Sequence, residues 1–233
     1  MTALHVHDLF GCTPTPLAHY LGGLGVLRLV CEQRDATARG FFRNEHFVLV
    51  TRLNREELES FFTHEYAPTP LVAPWNGGSG FYPKDKKTGI DPLRDSKATR
   101  FSAYRDAIMS ASVLTKGLKE APKDAPKFEM QRACRALWRG PLLEWLDAAL
   151  VLTSEGDPTY PALLGTGGND GRLDFTNNFM QRLGDLFEVS DPNGAPKPRT
   201  RERLRAALFG EASAGDLEKA SVGQFLPGGA GGA

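Results

Sequence analysis

The sequence predicts an α+β protein, with an N-terminal mixed α/β unit followed by a mainly helical, loop-rich region. Two patterns predict this class: short alternating or β-branched segments near the start of the chain, and apolar residues at helical spacing along the rest. The 25 glycines and 16 prolines among 233 residues indicate many loops. Three segments are expected: a compact α+β unit over 1–75, a basic loop and helices over 76–139, and an acidic helical region over 140–233 that ends in a glycine-rich loop.

The first 33 residues predict a short strand followed by a long helix. Residues 4–9 alternate between apolar and polar types as a strand does, and Thr15-Pro16 is a typical helix start. Over residues 17–33 the following apolar side chains recur at three- and four-residue steps: Leu17, Tyr20, Leu21, Leu24, Leu27 and Val30.

Three glycines lie inside this helix, at Gly22, Gly23 and Gly25. Each costs roughly 1 kcal/mol relative to alanine in a helix interior. Retaining them indicates that another backbone packs close by. Packing of the helix on a sheet is favoured over a ligand site as the explanation.

A second strand and helix follow. Residues 46–53 are rich in β-branched and apolar types and predict a strand. Asn54 is placed to cap the next helix, and Glu57 three residues later completes the pattern of a capping box. The proline-rich residues 67–70 then end that helix.

Amphipathic patterns predict further helices over 101–118, 128–138, 142–152, 175–187 and 201–209. A Pro-containing linker over 121–126 separates the first two, and Gly140-Pro141 ends the second. The last seven residues, 227–233, are mostly glycine and alanine and are expected to form a loop, or the point where a longer chain was cut.

The formal net charge is zero, since 28 Lys and Arg balance 28 Asp and Glu. This balance argues against a histone-like or tail-type nucleic-acid binder, although a local basic surface is compatible with it. Residues 84–139 hold 14 basic and 7 acidic side chains, whereas residues 140–190 hold 2 basic and 8 acidic. The zero net charge therefore conceals a dipolar chain.

The cysteines and the hydropathy pattern indicate a cellular location. Cys12, Cys31 and Cys134 are spread apart in no metal-like or even-numbered pattern, which favours a reducing cytoplasm. The sequence shows neither a leader nor an apolar run long enough to span a bilayer. A soluble, cytoplasmic protein is expected.

The segment from Tyr66 to Phe81 holds a proline-rich entry followed by a glycine-rich turn. Backbone amides of such a turn can approach a phosphate closely, and Trp75 and Phe81 can stack on a base. The segment lacks the terminal Gly-Lys-Ser/Thr of a nucleotide-binding loop. A structural turn beneath an aromatic lid is the somewhat favoured alternative.

A second glycine-rich loop runs over 164–172 and leads into the predicted helix that begins near Thr176. Its Gly-Thr-Gly-Gly-Asn-Asp-Gly run only superficially resembles a dinucleotide fingerprint, because the preceding segment is too short and proline-bound for a core strand. The amides at the start of that helix can bind an anion. A well-capped helix without a ligand is the favoured alternative.

Catalytic patterns are poorly supported, and neither a metal nor another cofactor is expected. His5 and His7 would share one face of a strand as a possible metal pair, but two such histidines more often belong to a polar face. Ser79 and Ser154 lie in no nucleophile-elbow pattern. No cysteine has a neighbouring histidine, and no pair of carboxylates stands out.

The basic middle segment combines cations with aromatic side chains. Its candidate phosphate contacts are Lys84, Lys86, Lys87, Lys97, Arg100 and Arg105. Aromatic residues lie between them, as a nucleic-acid surface requires, because phosphate neutralisation supplies affinity and rings supply stacking. A solvated helix face is an equally weighted alternative.

Four stretches of the chain, taken in order, resemble a known family. They are Gly11-Cys12-Thr-Pro-Thr-Pro-Leu-Ala-His-Tyr-Leu-Gly-Gly-Leu-Gly-Val-Leu-Arg-Leu-Val, Pro68-Thr-Pro-Leu-Val-Ala-Pro-Trp-Asn-Gly-Gly-Ser-Gly-Phe81, Leu164-Gly-Thr-Gly-Gly-Asn-Asp-Gly-Arg-Leu-Asp-Phe-Thr-Asn-Asn178 and Gly223-Gln-Phe-Leu-Pro-Gly-Gly-Ala-Gly-Gly232. Together they are similar to the large subunit of the type I-G (formerly type I-U) CRISPR effector, a Cascade-like complex. The resemblance spans the chain and implies that it is the N-terminal portion of a longer protein.

The resemblance implies a non-catalytic part of a ribonucleoprotein complex in antiviral defence. The implied partners are the CRISPR RNA-containing complex, with its backbone subunits and guide-end-binding subunit, the target double-stranded DNA near the protospacer-adjacent motif, and a recruited helicase–nuclease. No membrane partner is implied. Within the matched motifs, Asn76, Ser79 and Asn169 are the candidates for close contact with DNA.

Two other functions stay open at this point. The dipolar charge distribution would also suit a scaffold that docks onto other effector subunits without reading DNA itself. The two glycine-rich loops would also suit an enzyme acting on a nucleotide or a phosphorylated metabolite, which is the less favoured reading.

Overall fold

The computed structural model describes residues 3–72, 80–81, 85–115, 136, 151–155, 158–159 and 175–211. It confirms the α+β class, since helices accompany a three-stranded antiparallel sheet. The chain divides into two compact units. Unit 1 combines Met1–Tyr66 with Pro196–Ala233, and unit 2 is Ala67–Ala195.

The sheet of unit 1 has the order β1-β3-β2, formed by β1 (His5–Leu9), β2 (Arg39–Arg43) and β3 (His46–Thr51). β3 pairs antiparallel with both neighbours, with Leu9 opposite Phe47 and Phe42 opposite the same residue. Leu9, Phe47 and Leu49 are buried in the core. Alternate residues of each strand point away from this core and form the outer sheet face.

α1 (Leu17–Gln33) has the bounds that the sequence predicts. Its buried face carries Val26 and Val30. At Gly23 an added Cβ would lie 2.9 Å from the Phe47 side chain, so this glycine permits the predicted packing of helix on sheet. At Gly22 and Gly25 it would meet nothing within 4 Å, so the close backbone expected at all three glycines is not found there. The apolar residues that predicted the helix lie mostly on its exposed side: Leu17, Tyr20, Leu21 and Leu24.

The sequence pattern did not predict β2, because Arg-Gly-Phe-Phe-Arg lacks a clean alternation. The strand pairs with β3 across a tight turn in which Asn44 has a φ of 57°, a conformation that asparagine tolerates. Gly40 faces the core, where an added Cβ would lie 2.3 Å from the Phe47 Cζ.

α2 (Arg55–Ser60) confirms the predicted capping box in both directions. The Asn54 side chain accepts from the Glu57 N–H at 3.0 Å, and the Glu57 carboxylate accepts from the Asn54 N–H at 2.8 Å. A π-helical turn (Phe61–Glu65) continues the helix and buries Phe61 and Phe62 before the proline-rich segment.

Helix α6 (Thr200–Phe209) of unit 1 belongs to the same core as the N-terminal elements. Leu204, Leu208 and Phe209 belong to one buried cluster with Leu9 and Leu58. The Gly11 N–H donates to the Leu208 carbonyl at 3.0 Å. This return of the chain differs from the three consecutive segments that the sequence predicts.

Unit 2 contains α3 (Ile90–Asp95), a 3₁₀ turn (Thr99–Phe101), α4 (Ser102–Thr115) and α5 (Phe175–Leu186). The predicted helix over 101–118 is thus confirmed over Ser102–Thr115, with 116–118 outside the described residues, and the one over 175–187 is confirmed over Phe175–Leu186. The Phe101 and Phe187 rings meet edge to face, with centroids 6.0 Å apart. Tyr104 is fully buried and accepts from the Leu71 N–H at 3.2 Å through its hydroxyl.

A short strand β4 (Val151–Leu152) pairs with β5 (Pro158–Thr159), where the sequence analysis predicts the end of a helix over 142–152. A two-residue strand is fixed by its partner rather than by its own pattern, so periodicity did not reveal it. The predicted helix over 128–138 lies outside the described residues, apart from Ala136, which is helical.

Candidate functional site

The structure describes five of the nine predicted contact residues. Asn76, Ser79, Lys84 and Asn169 lie outside the described residues, as do most of the two glycine-rich loops. Those that it describes all belong to unit 2: Lys86, Lys87, Lys97, Arg100 and Arg105.

The three lysines flank α3 and are exposed. Lys86 and Lys87 precede the helix, and the Lys87 carbonyl accepts from the Asp91 N–H at 3.0 Å. Lys97 follows it, between the buried Ser96 and Ala98, so its side chain is turned outward. Among the residues that the structure describes, none of these three ammonium groups forms an ion pair.

Arg94, which lies between the lysines in sequence, has its charge balanced locally. Its guanidinium contacts Asp91 at 2.8 Å and Asp95 at 2.9 Å. The hydrogen bond from Arg94 lowers the pKa of the exposed Asp95 carboxyl below its usual value. The uncompensated positive charge around α3 therefore comes from the lysines.

Arg100 is buried inside unit 2, at 6% exposure, and this corrects the prediction that it holds a surface phosphate. Its guanidinium donates to the Gly194 carbonyl at 3.1 Å and lies 4.2 Å from the centre of the Phe187 ring. Gly194 has a φ of +60°, and an added Cβ would lie 2.7 Å from the Arg100 Cδ. The side chain holds the 187–194 segment against α4 and its preceding turn.

Arg105 has a structural bond as well. It is half-buried and donates to the Ser96 carbonyl at 2.6 Å, while the Ser96 hydroxyl donates to the Val189 carbonyl at 2.5 Å. These bonds connect α4 to the turn after α3. A phosphate contact by Arg105 stays a prediction.

The histidines of β1 have contacts that belong to the fold. His7 is buried and donates through Nε2 to the Leu53 carbonyl at 2.8 Å, and its ring lies 6.4 Å from that of His5. No group of three or more His, Cys, Asp and Glu side chains in the described ranges is arranged to hold a metal ion. Burial raises the pKa of the Cys12 thiol to about 11, which disfavours the thiolate form.

The outer sheet face of unit 1 carries exposed aromatic and basic side chains that the sequence analysis missed. Phe10 is 58% exposed and packs on His46, with ring centroids 4.5 Å apart, and Phe41 is 50% exposed. Arg39 and Arg43 lie on either side of Phe41 in β2. The Arg-x-Phe-x-Arg spacing was the available signal, but it has meaning only once residues 39–43 are known to be a strand.

An arginine cluster joins α2 to α6. The buried Glu59 carboxylate accepts from Arg205 at 2.9–3.0 Å and from Arg55 at 3.3 Å, and Arg55 also contacts Glu211 at 2.6 Å. Burial opposes ionisation of Glu59, yet the bonds from Arg205 and Arg55 outweigh it and lower the pKa. This cluster ties together elements that are far apart in sequence.

No helix in the described part of the chain is long and apolar enough to cross a membrane. Comparison with known proteins finds no family model that matches the sequence and no curated protein that matches it. The residues themselves and the four family-like stretches are therefore what bears on function.

Proposed function

We propose that this chain is a non-catalytic portion of the large subunit of a type I-G CRISPR surveillance complex and contacts target DNA near the protospacer-adjacent motif. The four motifs support the family, and the three exposed lysines around α3 support the DNA contact. The single observation that carries the contact is that these lysines lack ion-pair partners among the described residues.

Charge that the fold has not neutralised is what a DNA backbone requires. A lysine that meets a phosphate releases a condensed counterion, and this release drives binding at low salt. The Arg94 guanidinium is paired with Asp91 and the Arg100 guanidinium is buried within unit 2, so both contribute less to an external phosphate. Lys86, Lys87 and Lys97 are therefore the primary phosphate contacts in this proposal, with Lys84 and Arg105 as additional ones.

The proposed division of labour follows the physics of RNA-guided recognition. Guide pairing reads the target, while protein reads a short flanking motif and the duplex backbone and supports opening of the R-loop. Asn76, Ser79 and Asn169 are the proposed close contacts to DNA. A recruited helicase–nuclease cuts the target, so this cytoplasmic subunit itself needs no catalytic centre.

Salt-dependent binding of the assembled, guide-loaded complex to target duplex tests the lysines. Each of Lys86→Ala, Lys87→Ala and Lys97→Ala is expected to weaken binding equally across flanking sequences. Each should also reduce the slope of log K against log salt by about 0.9, the value for one lost phosphate contact on B-DNA.

Arg28→Ala is the charge-matched control. Arg28 lies on α1 of unit 1, its side chain is 72% exposed, and it pairs with Glu32. Its loss changes net charge by the same amount and should leave the slope unchanged. An unchanged affinity and slope in the triple lysine variant would remove α3 from the DNA interface.

A protein–protein scaffold is the second candidate, favoured by the exposed apolar side of α1. Leu17, Leu21 and Leu24 are 56%, 38% and 39% exposed at helical spacing, which is typical of a surface that packs on a partner. Under this alternative, Leu21→Ser with Leu24→Ser blocks complex assembly, whereas the lysine variants bind DNA as the wild type does.

A further inference from the structure

We propose that the outer sheet face of unit 1 binds single-stranded nucleic acid, with a base stacked on Phe41 and neighbouring phosphates held by Arg39 and Arg43. This inference does not depend on the function proposed above. It concerns a different unit and a different form of nucleic acid. Its experiment uses probes and variants that leave the α3 lysines intact.

The strand register arranges the outer sheet face in three rows. Directly opposite residues of antiparallel strands point to the same side. Read from β1 through β3 to β2, two rows are Val6-Val50-Arg39 and Asp8-Val48-Phe41, of which the central Val48 is fully buried. In the third row His46 lies opposite Arg43, and the ring of Phe10, which directly follows β1, packs on His46. Rows lie about 7 Å apart along the strands, and columns about 4.8 Å apart across them.

Phe41 is placed to receive a base. Its neighbour Phe42 points to the core side, where its ring stacks on Tyr20 at 4.9 Å and meets Phe47 edge-on at 5.0 Å. Phe41 points the other way from an edge strand and leaves half of its surface open. Isolated exposed apolar residues are common, so the ring alone would decide nothing. Its placement between two arginines distinguishes it.

Arg39 and Arg43 supply the charge for phosphates on each side of that base. Each lies two residues from Phe41 on the same face, about 7 Å away. Arg39 makes no ion pair with any other residue that the structure describes. Arg43 donates to the Asp8 carboxylate at 2.7 Å, which orients its guanidinium while leaving further N–H groups for a ligand.

His46 and Phe10 extend this surface. The Asp8 carboxylate also accepts from His46 Nε2 at 2.9 Å, so the imidazole is fixed beneath the exposed Phe10 ring. Phe10 directly follows β1, the edge strand on the other side of β3 from Phe41. A single strand crossing the sheet diagonally would meet both rings, and base stacking on successive rings tolerates any sequence.

The combination of rings and cations favours a single-stranded nucleic acid over other occupants. A duplex keeps its bases stacked inside and offers no base face to Phe41. An acidic peptide would use the arginines but not the aromatic ring. A partner strand added to the edge of β2 would use its backbone groups rather than this face.

Fluorescence anisotropy with the full 233-residue chain tests the proposal. The probes are labelled oligonucleotides of about 12 nucleotides, within the range that one stacking domain covers: oligo(U) RNA, oligo(dT) DNA and a DNA duplex of equal length. Both single strands are expected to bind more tightly than the duplex. The ratio of the RNA and DNA affinities then identifies the natural ligand class.

Variants of β2 assign the binding to the proposed side chains. Phe41→Ala is expected to weaken single-strand binding by about 5- to 140-fold, the equivalent of one lost base stack. Phe41→Tyr keeps a ring and should restore binding, whereas Phe41→Leu should not. Arg39→Gln is expected to lower the salt slope by about 0.7, the value for one phosphate of a single strand.

Leu21→Ala, an exposed apolar residue on α1, is the matched control and should bind as the wild type does. If Phe41→Ala lowers the melting temperature, the proposal is tested instead by comparing the single-strand affinities of Phe41→Tyr and Arg39→Gln. Absence of single-strand binding, equal binding by Phe41→Leu and wild type, or tighter binding of the duplex would each overturn the proposal. The proposal would also be overturned if polyglutamate fully displaced the single strand and Phe41→Ala left its affinity unchanged.

Discussion

Gly11 is a residue whose missing side chain lets two elements meet. An added Cβ would lie 2.0 Å from the Ala207 carbonyl oxygen, and the Gly11 N–H already bonds to the next carbonyl of α6. Since both contacts are to backbone, no side-chain rotation relieves the overlap. Only glycine allows this approach.

Gly11→Ala is therefore expected to reduce the free energy of unfolding by about 3 kcal/mol, through steric overlap and the weakened hydrogen bond. Denaturation in urea measures the change. Gly22→Ala is the matched control, because its Cβ would meet nothing within 4 Å in the described structure, and it should stabilise α1 by about 1 kcal/mol. Equal stability of Gly11→Ala and wild type would contradict the close packing of α6.

Asp35 fastens the turn after α1 to the end of β3. Its carboxylate is buried and accepts from the Thr37 hydroxyl at 2.6 Å, the Thr51 hydroxyl at 2.7 Å and the Arg52 N–H at 2.8 Å. Burial opposes the charged form, but these hydrogen bonds outweigh it and hold the pKa well below the usual 3.8.

The depressed pKa makes this contribution to stability acid-sensitive. Because the unfolded chain binds the proton first, the stabilisation is complete above the unfolded value of 3.8 and declines as pH falls through the folded pKa. Asp35→Asn is expected to cost about 2 kcal/mol at pH 7. In urea titrations the difference in free energy of unfolding between Asp35→Asn and wild type should become smaller between pH 5 and roughly pH 2. A difference that is constant with pH would contradict this role.

Among the elements, those with strong local signals were predicted well. The bounds of α1 and the capping box of α2 followed from apolar spacing and from Asn54 with Glu57. β2 and α3 were missed because they are short, and α3 contains Pro92 in its first turn. Their structure is set by tertiary packing, which buries Ile90 and Leu93 and places Gly40 against Phe47.

The helix α6 was predicted as an element but its location was not. Periodicity shows that Leu204 and Leu208 share a face, yet it contains no information on which distant residues cover that face. The structure buries them in the core of unit 1 with Leu9 and Leu58. Truncating Leu204 or Leu208 should therefore destabilise the N-terminal strands.

Leu208→Ala tests this placement in the complete chain. It is expected to lower the free energy of unfolding of unit 1 by about 3 kcal/mol, because a buried leucine leaves a cavity. Amide hydrogen exchange should accelerate in β3, while α4 of unit 2 keeps its protection. Val113→Ala on α4, 68% exposed, is the control and should change neither. Acceleration confined to α4 would contradict the assignment of α6 to unit 1.

At the scale of the whole molecule, charge along the chain proved a partial guide to charge on the surface. The basic excess over 84–139 includes the exposed lysines beside α3 but also Arg100, which is buried. Counting residues cannot separate the two cases, because the environment of Arg100 is built by Phe187 and Gly194 from another part of the chain. The aromatic and basic outer sheet face escaped notice for the same reason.

The packing of α6 on the N-terminal elements also affects how the protein folds during synthesis. Unit 1 begins at the first residues, but its covering helix is made only after residues 67–195 have been added. At roughly 5–20 residues per second, the ribosome takes about 6 to 26 seconds to supply that stretch. For that interval Leu9, Cys12 and Leu58 lack the α6 side chains that share their core cluster, and their apolar surface is expected to stay exposed. The core of unit 1 is therefore protected from aggregation only once α6 has been synthesised and has packed onto it.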